Sequence, residues 1–144
     1  MAINNSSNGV NLEELFYIGI VTAYGKAPCT VRVRRPDKDD RVSAELPVIQ
    51  LCVQGNSFFH MPKIDEQVLC IALPNAGGKG VGEGFCLGAW YNEDNKPPEN
   101  DNNSISLTME NGSYLRFNKN GDVELHATKN FLITVSGQVR IDRS

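Results

Sequence analysis

From Ile105 to Ile141 the apolar residues fall almost wholly on odd-numbered positions, and this phase survives every interruption. Ile105, Leu107 and Met109 are followed by Leu115 and Phe117, then by Val123, Leu125 and Ala127. Phe131, Ile133 and Val135 come next, with Val139 and Ile141 last. The even positions hold Ser106, Thr108, Arg116, Glu124, His126, Thr134, Arg140 and similar polar groups; Tyr114 and Leu132 are the sizeable exceptions. A period of two marks β-strands with one dry face. Each turn of a hairpin meander is free to reset that phase, so its retention past Asn111-Gly112, Lys119-Asn120-Gly121, Lys129 and Ser136-Gly137 implies one shared inward direction.

Such a segment needs something to pack against. Strands of this length with one apolar face do not make a stable core as a single thin ribbon. A two-layer sandwich needs more apolar residues than this stretch owns. Other copies of the same chain supply the missing walls most economically. Three chains about one axis, each turning its odd residues inward, give a prism with few free edges. Val123, Leu125, Phe131, Ile133, Val135, Val139 and Ile141 are the expected axial core of that trimer.

The first part of the chain has a different grammar. Strand candidates lie at 16–24, 30–35, 44–51, 67–73 and 84–90, rich in β-branched and aromatic residues. Turn clusters separate them at Gly25 to Pro28, Pro36 to Asp40 and Asn75 to Gly82. Val31 and Val33 alternate with Arg32 and Arg34, as in a strand with one wet face. Asn11 to Leu15 suits one helical turn capped by Asn11. Five short strands in so small a span favour a closed barrel, because closure removes the edges. Between the two parts, residues 92–104 hold no apolar residue except Pro97 and Pro98 and form a linker.

Composition excludes several classes. Hydrophobic residues make up 40% and charged residues 22% of the chain, values of a globular protein. No apolar run approaches the roughly 18 residues that span a bilayer. The polar start, MAINNSSNGVNLEEL, is not a secretory signal, so synthesis is expected in the cytoplasm. Cys29, Cys52, Cys70 and Cys86 are widely spaced and include no C-x-x-C pair. They are expected to be small buried hydrophobes without disulfides. A net charge of -3 gives no bulk attraction to nucleic acid or anionic lipid.

No catalytic constellation emerges. His126 stands at an outward position with no ligand partner near it in sequence. His60 with Cys52 lacks the local setting of a cysteine hydrolase. Arg32, Arg34 and Arg35 beside Phe58, Phe59, Trp90 and Tyr91 invite a surface for single-stranded nucleic acid, but Asp37, Asp39 and Asp40 follow at once. Gly77-Gly78-Lys79-Gly80 lacks the spacing of a phosphate loop and is expected to be a mobile hairpin loop. Asp65, Glu66 and Glu83 have no second carboxylate whose placement the sequence fixes. Catalytic, cofactor and metal sites are all expected to be absent.

In order and spacing the first part resembles the N-terminal domain of baseplate assembly protein V and related phage and type VI secretion spikes. The matching stretches are Ile18 to Val21, Val31 to Asp37, Leu46-Pro47-Val48, Met61 to Leu69 and Gly84 to Asn92, followed by the Pro-Pro linker and the phase-locked segment. The resemblance implies an all-β chain with an OB-fold barrel over 15–91, after an N-terminal segment at 1–14. A linker at 92–104 then leads to a short trimeric intertwined β-helix, or prism, over 105–144. It implies a structural, non-enzymatic homotrimer, the central spike of a phage tail or tail-like bacteriocin. Such a spike is attached to a baseplate hub protein and meets the target cell envelope when the sheath contracts. The chain is then expected in a particle assembled in the bacterial cytoplasm and released. Many such spikes end in His-x-His and bind iron at the tip. This sequence ends Gln138 to Ser144 without histidine, so either a metal-free end or a separate tip protein is expected. The competing reading is an OB-fold binding module for single-stranded nucleic acid or oligosaccharide.

Overall fold

The structure, a computed structural model, describes residues 12–73, 84–98 and 101–144. The turn expected at Asn75 to Gly82, with its glycine-lysine stretch, lies outside these residues. The chain is all-β, with two antiparallel sheets, and divides into two compact units at Trp90/Tyr91.

In the first unit a single helical turn, α1 (Leu12–Leu15), runs directly into β1 (Phe16–Tyr24). The strands that follow are β2 (Thr30–Arg35), β3 (Arg41–Val42), β4 (Leu46–Pro47), β5 (Gln67–Ala72) and β6 (Gly84–Ala89). β1 pairs with β2 on one side and β5 on the other, and β5 pairs with β6. β4 pairs with β2 through Val31 and Leu46. Its continuation then meets β6 by a parallel bridge, Val48 to Cys86, and by Ile49 N–H donating to the Cys86 carbonyl at 2.9 Å. The pairings therefore close a circuit, β1–β2–β4–β6–β5–β1. Closure satisfies backbone groups that an open sheet of this size would leave at its edges.

The inward residues of that circuit form the core. Tyr17, Val21, Val31, Val33, Leu46, Val48, Val68, Cys70 and Cys86 are buried, with Cys29, Met61 and Ala72 packed against them. Alternation explains the selection: on β1 the buried residues are Tyr17, Gly19 and Val21, and on β5 they are Val68 and Cys70. Cys70 and Cys86 are cross-strand partners. A hydrogen bond to Cys86 and burial together keep the proton on the Cys70 thiol. Burial raises the Tyr17 hydroxyl far above its ordinary range, with Cys70 beside it. The Arg35 guanidinium lies 3.8 Å over the Tyr17 ring and bonds Asp37 at 2.9 Å, which holds that carboxyl below its ordinary value of 3.8.

One expectation fails here. Cys52 is exposed rather than buried, because the run from Ala44 to Leu51 leaves the sheet after Ile49. The Gln50 side chain then closes the neck of a loop. Its amide donates to the His60 carbonyl at 2.8 Å, and its oxygen accepts from His60 N–H at 2.9 Å. The residues between, Leu51 to Phe59, project outward.

The second unit is a meander of β7 (Ile105–Thr108), β8 (Tyr114–Phe117) and β9 (Val123–His126). Its two turns share one construction. Met109 N–H donates to Ser113 O at 2.8 Å, and Asn118 N–H donates to Asp122 O at 2.8 Å. Asn111 and Asn120 accept from the N–H groups of Ser113 and Asp122. Gly112 and Gly121 each take a φ of 95°. An L-residue in such a conformation costs about 1–2 kcal/mol. Gly121→Ala is therefore expected to lower unfolding stability by that amount in a urea titration; an unchanged midpoint would contradict this account of the turn.

Each turn contains an odd number of residues between paired positions, so paired residues share parity. This is how a meander retains the phase that hairpins are free to reset. Among the described residues, 91–98 and 101–104 hold no strand. Asn92 and Asp101 organise local turns there by accepting backbone N–H bonds from Asp94, Asn95 and Asn103.

Candidate functional site

The strand register sorts the second unit into two faces. Ile105 faces Phe117, which faces Val123; Leu107 faces Leu115, which faces Leu125. Those six residues make one continuous apolar face. The other face carries the rows Ser106, Arg116, Glu124 and Thr108, Tyr114, His126.

On the polar face, side chains of neighbouring strands contact one another. Arg116 lies 3.5 Å from Glu124 and places its guanidinium 4.4 Å from the centre of the Tyr114 ring. Tyr114 stacks on His126, with centroids 5.1 Å apart. Tyr114 thus breaks the odd-even pattern because it is a stacking platform between a cation and an imidazole, not a core residue.

The apolar face is largely exposed in the single chain, with Leu115 at its centre half-buried. Ile105 is 72% exposed, Val123 61% and Leu125 57%, and Leu107 and Phe117 are exposed as well. A sheet with one bare apolar face of this kind marks an interaction surface.

Beyond β9 the chain bends at Thr128-Lys129 and again at Ser136-Gly137, without strand or helix. Thr128 N–H donates to Ser113 Oγ at 3.3 Å, which ties the end of β9 beside the start of β8. Residues 129–144 make no backbone hydrogen bond to another described residue. Their apolar members are nonetheless spaced as in the sheet. Phe131, Ile133, Val135, Val139 and Ile141 are all exposed in the single chain, Ile141 at 93%. Of the seven residues expected on an axial core, the structure brings Val123 and Leu125 together on β9. The other five lie along this unpaired stretch.

The remaining candidates are placed less suggestively. His60 packs edge-on against Phe58 with centroids 5.9 Å apart, in the exposed loop that also holds Cys52. Arg32, Arg34 and Arg35 face Glu45, Asp40 and Asp37 at 3.6, 2.6 and 2.9 Å. Their charge is therefore largely answered within the chain, unlike that of a groove tracking phosphates. Glu45 also accepts the N–H groups of Lys26 and Ala27, which lower its pKa. Among the described residues no group of three or more His, Cys, Asp or Glu is placed to hold a metal ion, and no helix is long and apolar enough to cross a membrane.

Two apolar surfaces lie on the first unit, of which sequence reasoning touched only the aromatic end of one, at Phe58 and Phe59. The loop 51–59 exposes Leu51, Val53 and Phe59. The outer wall of β1 and β5 exposes Phe16, Ile18 and Leu69 around an open groove of about 490 Å³. The signal for the wall was present: Phe16 to Val21 and Val68 to Ala72 are nearly continuous apolar runs, the mark of strands covered on both faces.

Neither a comparison with protein-family models nor one with curated proteins yields a match.

Proposed function

We propose that this chain is the central spike of a contractile injection particle, a homotrimer whose second unit forms an intertwined β-prism and whose first unit is an OB-fold collar on the baseplate hub. The observation that carries the reading is the bare odd face of β7–β9, continued in phase by residues 129–144, which make no backbone hydrogen bond to another described residue. Apolar groups are exposed there, and the backbone groups of 129–144 have no hydrogen-bond partner among the described residues. Strands from identical neighbours supply both at once, since each copy offers the same odd face and the free edges of β7 and β9. Each large side chain sealed on the axis would contribute about 1.5–3 kcal/mol.

Support for the collar comes from the strand circuit closed by Val48 and Cys86, a five-stranded path of the kind that OB barrels use. The mechanism is mechanical. Interchain pairing answers the backbone groups of the prism, and a sealed apolar axis removes the voids that permit local bending. Sheath contraction provides the energy, and the spike transmits force to the envelope.

Hydrogen exchange tests the carrying observation. The amides of residues 131–141 should exchange slowly in the assembled protein, at rates comparable with those of β8. Exchange at unprotected rates would remove the prism. Immunogold labelling of contracted particles should place the chain at the tail tip; label along the sheath would contradict the role.

A further inference from the structure

The first unit carries two apolar surfaces of different shape. One is the groove on the outer wall of β1 and β5, walled by Phe16, Ile18, Leu69 and Pro36 and rimmed by Asp37 and Gln67. The other is the loop 51–59, which projects Val53 and Phe59 at 77% and 74% exposure. The loop is held in shape: the Gln50 side chain clasps His60, and Phe58 N–H donates to the Cys52 carbonyl at 3.2 Å. An ordered loop with outward aromatic residues loses little entropy on docking.

The groove and the anchors of the loop neck meet β1 and its hairpin at different points. The groove lies at Phe16 to Ile18, whereas the loop neck lies at the Tyr24–Cys29 end. There Gln50 donates to Cys29 Sγ at 3.3 Å and the Tyr24 hydroxyl donates to Pro62 O at 2.9 Å. At about 3.3 Å per residue, Ile18 and Tyr24 stand roughly 20 Å apart along the strand. The loop does not line its own chain's groove.

We infer that the groove receives the 51–59 loop of a second copy of this chain, so that the collars join head to tail. This rests on the trimer reading above. A contact between two different patches is the kind that closes a ring, as a three-fold axis requires. Charge selects the same occupant. The chain from Val48 to Pro62 contains no Asp, Glu, Lys or Arg, so the loop brings no charge into the groove, and the groove's own Asp37 is already paired with Arg35 at 2.9 Å. Each copy carries a net -3, and a charge-free loop is the part of the surface that approaches another copy without repulsion. Once the prisms assemble, tethering raises the local concentration of the collars, so a modest contact suffices.

The test places a photoreactive benzophenone side chain at position 59 of the full-length protein. The solution mass is measured on the same sample before irradiation. Covalent dimers and trimers on a denaturing gel, with the link mapped to residues 16–20 or 67–71, are the expected result. Ile18→Glu should reduce that ladder by about tenfold or more, as for loss of an anchor residue. A trimer without a ladder, or with links mapped elsewhere, overturns the inference and leaves the spike reading standing. Links confined within one chain, to residues 1–11 for example, do the same. A monomeric mass overturns both.

Discussion

Replacing Ile133 by aspartate is expected to abolish the trimer at micromolar concentration, whereas Thr134→Asp leaves it intact. In the single chain both residues are exposed, Ile133 at 63%, so the chain alone gives no reason for the two to differ. In the proposed prism the odd residue would face the axis and the even one water. Three copies of Ile133→Asp then bring three carboxylates into a dry interior, at an effective cost of several kcal/mol for each unpaired ion. Like charges at close range and burial both raise the carboxyl pKa. The sign follows: the penalty is absent below the unfolded value, grows as pH rises toward the raised value and is full above it. The defect should therefore ease in acid. Sedimentation of the two variants checks it, and equal behaviour would remove the assignment of odd residues to the axis.

The second large effect belongs to the first unit. Leu46 is 2% exposed and sits on β4, the short strand through which the circuit between β2 and β6 closes. Leu46→Ala removes that packing and leaves a cavity at the closure, a change that costs about 2–5 kcal/mol in comparable cores. In a domain of this size each kcal/mol lowers the melting temperature by about 4–8 °C. A loss of at least about 8 °C is expected from calorimetry. Leu51→Ala, at a residue 80% exposed, should move it by little more than the error. Similar shifts for the two would mean that closure at Leu46 contributes little to holding the barrel together.

What was legible in the sequence follows from the periodicity of each part. β1 and β2 occupy the residues that alternation and β-branching marked, because their neighbours on both sides come from the same chain. The parity of β7–β9 was legible too, since odd-length turns preserve it. The segment from Ala44 to Leu51 was read too long. Apolar content alone does not reveal that the Gln50 amide substitutes for a strand partner at His60 and sends Leu51, Cys52 and Val53 outward. The residues from Phe131 to Ile141 carry a strand pattern without forming a strand. Periodicity reports which face wants to be dry, but not which chain will dry it.

The solution mass of the full-length protein by light scattering, beside a truncation ending near Asn92, tests the central claim most directly. A full-length mass three times the 15.8 kDa of one chain is expected, with a truncated form that has lost the trimer. A full-length protein at 15.8 kDa would contradict the prism, and the spike with it.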